Sequence, residues 1–166
     1  LMKVKHAVIT SVDRDELKDG GSTIWYNTIK AVKTLNPETT LETLIPDFKG
    51  QMENVQQVVN AHPEIISHNI ETVERLTRQV RIQAKYWRSM DVLRYLKQQG
   101  MRVKSGIMLG LGETKEEVVQ TLHDLYQNGV DVVTIGQYLQ PTKKHLAVQR
   151  FVHPDAFAEY REIGYT

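Results

Sequence analysis

Apolar, β-branched runs alternate along the chain with stretches whose apolar residues recur every three to four positions. That alternation predicts repeating βα units. The first run is Ala7–Val12, and a helix is expected from Ser22 or Thr23 to Leu35, closed by the Asn36–Pro37 stop signal. Period-2 alternation over Thr39–Asp47 sets Leu41, Thr43 and Ile45 against Thr40, Glu42 and Leu44, and a short helix over Met52–Asn60 carries Val55, Val58 and Val59. Glu64–Ile70 reads as a brief strand, after which Ile70, Val73, Leu76 and Val80 fall at helical spacing. A helix over Ser89–Gln99 ends at Gly100, and Arg102–Gly110 is the next strand. Thr114 with Glu117 three residues on is a capping box, and the helix it opens runs to Asn128–Gly129. Val130–Gln137 is the last clear strand, and a final helix starts near Pro154.

Repeating βα units imply a parallel sheet with right-handed crossovers. The fold class expected is α/β, in one domain over residues 1–166, either as an open doubly wound sheet or as part of a barrel. The first βα turn lacks a G-x-G-x-x-G pattern, which counts against a dinucleotide-binding sheet and favours an incomplete barrel of the TIM type.

The 166 residues carry 20 acidic and 21 basic side chains, so no strong field is expected and nucleic acid is disfavoured as the main partner. No run approaches the roughly 18 apolar residues of a membrane span, and the N-terminus has no long apolar core of a signal peptide. Cysteine is absent, which excludes disulfides, thiolate metal ligands and a cysteine nucleophile within this chain. The six histidines are scattered without ligand spacing.

In either architecture ligands bind at the carboxyl ends of the strands. The candidates there are Ser11, Asp13, Arg14, Asp15, Gly20 and Gly21 after the first strand and Asp47 after the second. His68, Asn69 and Glu71 follow the third, Gly110–Glu113 the fourth, and Gly136, Gln137 and Tyr138 the fifth. The glycines either make turns or let backbone N–H groups approach an anion at a helix start. Asn69 is either a helix cap or an amide that donates to and accepts from a diol or a base. Glu71 and Glu74 stand four residues before Arg75 and Arg78, the favourable helical orientation for ion pairs. If the helix ran unbroken, Arg78, Arg81, Lys85 and Arg88 would share one basic face. Arg81, at the end of the apolar stripe, could instead turn to the sheet and hold a carboxylate bidentately. Lys104, in the fourth strand on one face with Gly106 and Met108, is either a Schiff-base lysine or the partner of an acid such as Glu42 on the neighbouring wall.

The strings TSVDRDELKDGGS, SHNIETVERL, KSGIMLGLGET and TIGQYLQPTKKHLAVQRFVHP, in that order from about Lys5 to the end, closely resemble the lipoyl synthase family of radical S-adenosylmethionine (SAM) enzymes. The resemblance implies a partial (β/α)6 barrel that inserts two sulfur atoms into a protein-bound octanoyl chain, using SAM and two [4Fe-4S] clusters. It implies an octanoylated lipoyl domain or H-protein as substrate and a reductant such as flavodoxin or ferredoxin. The compartment implied is the cytoplasm in a bacterium, or the mitochondrion in a eukaryote. Ser11, Asp13 and Arg14 would line the SAM side of the pocket, with Gly20 and Gly21 shaping the loop. Asn69 and Glu71 would meet the ribose, and Arg81 the methionyl carboxylate. Met108 would lie by the adenine, Gln137, Tyr138 and Leu139 would close the last strand's end, and Lys104 would be a wall residue. The family holds its clusters with a C-x-x-x-C-x-x-C loop, further cysteines and a C-terminal serine, none of which matches here. The expectation is an internal portion of such an enzyme, starting near its second barrel strand and inactive alone. Rival readings are an aldolase-like barrel using Lys104 and a non-catalytic barrel that binds an acyl carrier.

Overall fold

The computed structural model describes residues 4–81, 83 and 85–165. The strands are β1 (His6–Thr10), β2 (Thr40–Leu44), β3 (Ile65–Ser67), β4 (Val103–Leu109) and β5 (Val132–Gln137). The helices are α1 (Ser22–Leu35), α2 (Met52–Asn60), α3 (Thr77–Val80), α4 (Tyr86–Gln98), α5 (Lys115–Gln127) and α6 (Pro154–Ile163). Every neighbouring pair is parallel, and the order is β1-β2-β3-β4-β5. A doubly wound sheet reverses its strand order part-way; this one never does. Sequential right-handed crossovers place the connecting helices on one face, which is the arrangement of a barrel wall. The sheet is open at β1 and β5, consistent with a partial barrel.

Register then sorts the side chains. Leu41, Thr43, Ile66, Val103, Ile107 and Leu109 share the helix-covered face, and all are buried. They pack with Ile29 of α1, Val55 and Val58 of α2, Leu93 and Leu96 of α4, and Val118 and Leu125 of α5. The opposite face carries His6, Glu42, Ser67, Lys104, Gly106, Met108 and Thr134. This face is polar and would be the lumen.

The expected capping box is present, with Thr114 accepting from the Glu117 N–H and Glu117 reaching back to the Thr114 N–H. Several expectations fail. The apolar spacing from Ile70 to Val80 does not make one helix: a 3₁₀ turn at Glu74–Leu76 leads into the four-residue α3, and Arg81 is extended. Ile70, Val73 and Leu76 are buried, so the spacing recorded burial and not helix. With the helix broken, Arg78, Arg81, Lys85 and Arg88 form no continuous basic face. The expected helical ion pairs are also replaced: Arg75 binds Glu117 across the fold at 2.6 Å, and Glu74 accepts from the Trp87 indole. Helix α4 starts at Tyr86, three residues earlier than expected, because no capping side chain marks its start.

Across the lumen, Lys104 Nζ lies 3.0 and 3.2 Å from the two Glu42 carboxylate oxygens, two strands away. Ser67, on the strand between, donates to Glu42 at 2.7 Å, and His6 stands 3.7 Å off on the other side. Burial works to raise the Glu42 carboxyl; the Ser67 hydrogen bond and the Lys104 ammonium outweigh it and hold it below its ordinary value. Replacing Lys104 by Met leaves that carboxylate buried without its ion pair, and urea unfolding should show a loss of about 2–3 kcal/mol. The double variant Glu42→Gln/Lys104→Met should recover most of it.

Candidate functional site

The loops at the carboxyl ends of the strands enclose a cavity of about 1180 Å³. Its wall includes Asp13, Arg14, Gly20, Glu71, Arg81, Met108, Tyr138 and Leu139 from the sequence candidates. Ser11, Gly21, Asn69 and Gln137 stand outside that lining. Lys18, Asp47, Phe48, Lys49, Leu111 and the run Pro141, Lys144, His145 and Leu146 complete much of the remainder. Sequence reasoning missed the 141–146 wall because it has no periodicity; the Tyr138 hydroxyl, donating to the Leu146 carbonyl at 2.9 Å, brings it over the cavity.

Carboxylates of the same chain already occupy several N–H groups of the glycine-rich turns. After β1, the Asp19 carboxylate accepts from the N–H groups of Gly21 and Thr23, both at 3.0 Å, so the start of α1 already faces an anion of its own chain. The hydrogen bond from Thr23 and those from the backbone lower the Asp19 carboxyl to about 2. After β4, buried Glu113 accepts from the N–H groups of Gly110 and Leu111 at 2.8 and 2.9 Å. What the glycines supply is shape. Gly20 has φ +59°, and an added Cβ would sit 3.0 Å from the Phe48 ring.

One wall of the cavity is built by the loop after β3. Glu71 holds a left-handed backbone (φ 69°), uncommon for a residue with a side chain. Its N–H donates to the Gly106 carbonyl at 3.0 Å and its carbonyl accepts from Met108 at 2.8 Å, so pairing with β4 fixes the bend. Burial raises the Glu71 carboxyl above its ordinary value, against the nearby charge of Arg81 and a hydrogen bond from Asn69. Arg81 Nη1 donates to the Asn69 carbonyl at 3.0 Å. The Asn69 amide lies over Gly106: a Cβ on that glycine would stand 2.9 Å from Asn69 Oδ1 and 2.9 Å from Thr134 Oγ1. Gly106 therefore makes the space that Asn69 occupies.

His68 points away from the cavity and is buried. Its Nδ1 lies 2.9 Å from the Ile45 carbonyl and its Nε2 2.9 Å from the Ser89 hydroxyl. Gln137, also directed away, clasps the segment beyond it, donating to the Arg150 carbonyl at 3.2 Å and accepting from the Val152 N–H at 2.8 Å. Lys104 lies outside the cavity lining, with its ammonium in the Glu42 ion pair, the wall position and not that of a free amine. Among the described residues no group of three or more His, Cys, Asp or Glu could hold a metal. No helix among them is long and apolar enough to cross a membrane.

The sequence model of the radical SAM superfamily matches residues 2–125. The chain belongs to the radical SAM superfamily. Its curated relatives include a lipoyl synthase of Flavobacterium johnsoniae, 66% identical over 99% of this chain, and a mitochondrial lipoyl synthase of Nematostella vectensis, 64% identical over the same share. The chain spans 57% of the length of each of these two relatives. In solved structures its fold resembles methylornithine synthase (TM-score 0.78, 15% identity, covering 97% of this chain and 48% of that one). It also resembles Streptococcus suis SuiB bound to S-adenosylmethionine (TM-score 0.66, 11% identity, covering 96% and 35%). These likenesses are of fold and agree with the open parallel sheet described above.

Burial lowers His68 to about 4 from an ordinary value of 6.5; the Ile45 carbonyl opposes this, and Arg81 and Arg88 add to it. Between those two values the unfolded chain takes up a proton that the folded chain refuses, so stability falls as pH drops through that window. Lowering pH from 7 to 5 should remove about 2 kcal/mol from this group alone, measured by urea unfolding. In His68→Gln this share of the pH dependence should vanish, whatever the variant costs at pH 7.

Proposed function

We propose that this chain is the barrel core of a lipoyl synthase, which inserts two sulfur atoms into the octanoyl chain of an octanoylated lipoyl domain or H-protein. The observation that carries the reading is the 64–66% identity to lipoyl synthases across 99% of the chain, joined to a strand-end cavity with a matching set of side chains.

The residues present fit SAM. Arg81 offers a guanidinium for its carboxylate. The half-buried Glu71, on the cavity wall, and Asn69, cradled by Gly106 just behind that lining and hydrogen-bonded to Glu71, offer a donor and acceptors for a ribose diol. Met108 and Leu111 give an apolar wall for a flat base. Asp13 and Arg14 close the opposite side, while Leu139 and Leu146, exposed at the same rim, suit an alkyl chain. Reductive cleavage of SAM supplies the oxidising power to open an unactivated C–H bond. The protein's part is to orient the two ligands and keep water from the reacting carbon. The residues present do not fit an iron–sulfur cluster, since the chain has no cysteine. Cluster ligands would come from parts of the protein outside this stretch. A flavodoxin- or ferredoxin-type reductant and a cytoplasmic or mitochondrial location follow from the same reading.

The test uses the full-length protein, reconstituted anaerobically with iron and sulfide and given SAM, a reductant and an octanoyl-lysyl peptide. Mass spectrometry should find the lipoyl peptide together with 5′-deoxyadenosine. Deoxyadenosine without sulfur insertion would leave the superfamily and reject the substrate; neither product, from protein shown to carry its clusters, would reject the reading. Asn69→Ala and Gly106→Ala should each weaken SAM binding about tenfold or more, the first by losing the amide and the second by displacing it.

A further inference from the structure

Arg81 stands where the chain gives it little support. It follows the last residue of a four-residue helix, and its backbone is extended at φ −131° and ψ 91°. A free arginine there would lose considerable side-chain entropy on engaging a ligand. Two acceptors hold it: the Asn69 carbonyl at 3.0 Å and the Ser89 hydroxyl oxygen at 3.4 Å, both on Nη1. Among the described residues Nε and Nη2 have no protein acceptor. That pair of nitrogens forms the side-on fork that matches a carboxylate.

The Ser89 oxygen accepts from Arg81 because of what lies behind it. A carbonyl cannot donate, so the 2.9 Å contact between His68 Nδ1 and the Ile45 carbonyl puts the proton on Nδ1. The ring is fully enclosed, with Arg81 and Arg88 on one side of its charge balance and Asp47 on the other, and it is neutral. Nε2 is therefore bare and takes the Ser89 hydroxyl proton at 2.9 Å. The hydroxyl proton is committed to His68, and the oxygen turns lone pairs toward the guanidinium. Donation runs in one direction, from Arg81 at the cavity wall through Ser89 on α4 and His68 at the end of β3 to the Ile45 carbonyl in the β2–α2 loop.

We propose that His68 and Ser89 are positioning residues for Arg81, fixing its guanidinium so that the Nε–Nη2 fork faces the cavity and receives the carboxylate of an amino-acid ligand. This deepens the reading of the cavity as a SAM site and rests on it.

The test is binding by the full-length protein, with SAM and 5′-methylthioadenosine, which lacks the amino-acid portion, as paired probes in equilibrium dialysis. Ser89→Ala should weaken SAM about tenfold and leave methylthioadenosine within about twofold, and Ser89→Thr, which keeps the hydroxyl, should restore SAM binding. His68→Phe should act like Ser89→Ala. In the unaltered protein, the imidazole nitrogen resonances of His68 should report the Nδ1–H tautomer. Equal weakening of both probes by Ser89→Ala would make Ser89 a structural residue and overturn the proposal, as would the Nε2–H tautomer. A normal Ser89→Ala beside a weakened Arg81→Ala would reject the relay and keep the SAM reading. If Arg81→Ala itself bound SAM normally, the assignment of Arg81 would fail, and the relay with it.

Discussion

Parallel strands joined in sequential order leave one face of the sheet without helices. Everything on that face must find partners across the sheet or in the strand-end loops. Helix-side residues such as Leu41, Ile66, Val103 and Leu109 meet an apolar layer and form an ordinary core. Lumen residues have no such layer. Glu42, Ser67 and Lys104, from three successive strands, solve this by hydrogen bonding to one another in a single row. The row makes the lower lumen a self-satisfied polar floor, and the open chemistry is confined to the rim above it.

The same economy governs the rim. Asp19 and Glu113 satisfy backbone N–H groups at the two glycine-rich turns, so neither turn is an anion trap. Positive charge in the cavity comes from side chains. Arg14, Lys49 and Arg88 have counter-ions of the same chain, Glu16, Asp15 at 3.5 Å and Asp47 at 2.8 Å. Arg81's hydrogen-bond acceptors are neutral oxygens, which orient its guanidinium, and its charge is felt by the nearby Glu71 carboxyl.

Much of this was legible in the sequence. The five strands read as period-2 or β-branched runs, and the Thr114 capping box was visible as spacing. The Glu42–Lys104 pair was one of two readings of a lysine in a strand. What failed did so for identifiable reasons. The residues from Ile70 to Val80 are spaced like a helix because they are buried from several directions, and tertiary pairing of Glu71 with β4 overrode local preference. The carboxylates that occupy the glycine turns could not be told from ligand-facing ones by position alone. His68 and Ser89 lie 21 residues apart, and nothing local ties them together. The wall at 141–146 has no secondary structure to announce it.

Gly106, Asn69 and Thr134 come from three separate segments and share one small volume, with two oxygens each 2.9 Å from the place a methyl group would take. Such a triplet is a lock on sequence drift. A side chain acquired at 106 requires room at both 69 and 134 in the same lineage, since either oxygen alone stands too close to it. The three positions are therefore bound to change together or not at all, so that covariation among distant homologues would record the packing behind the cavity wall.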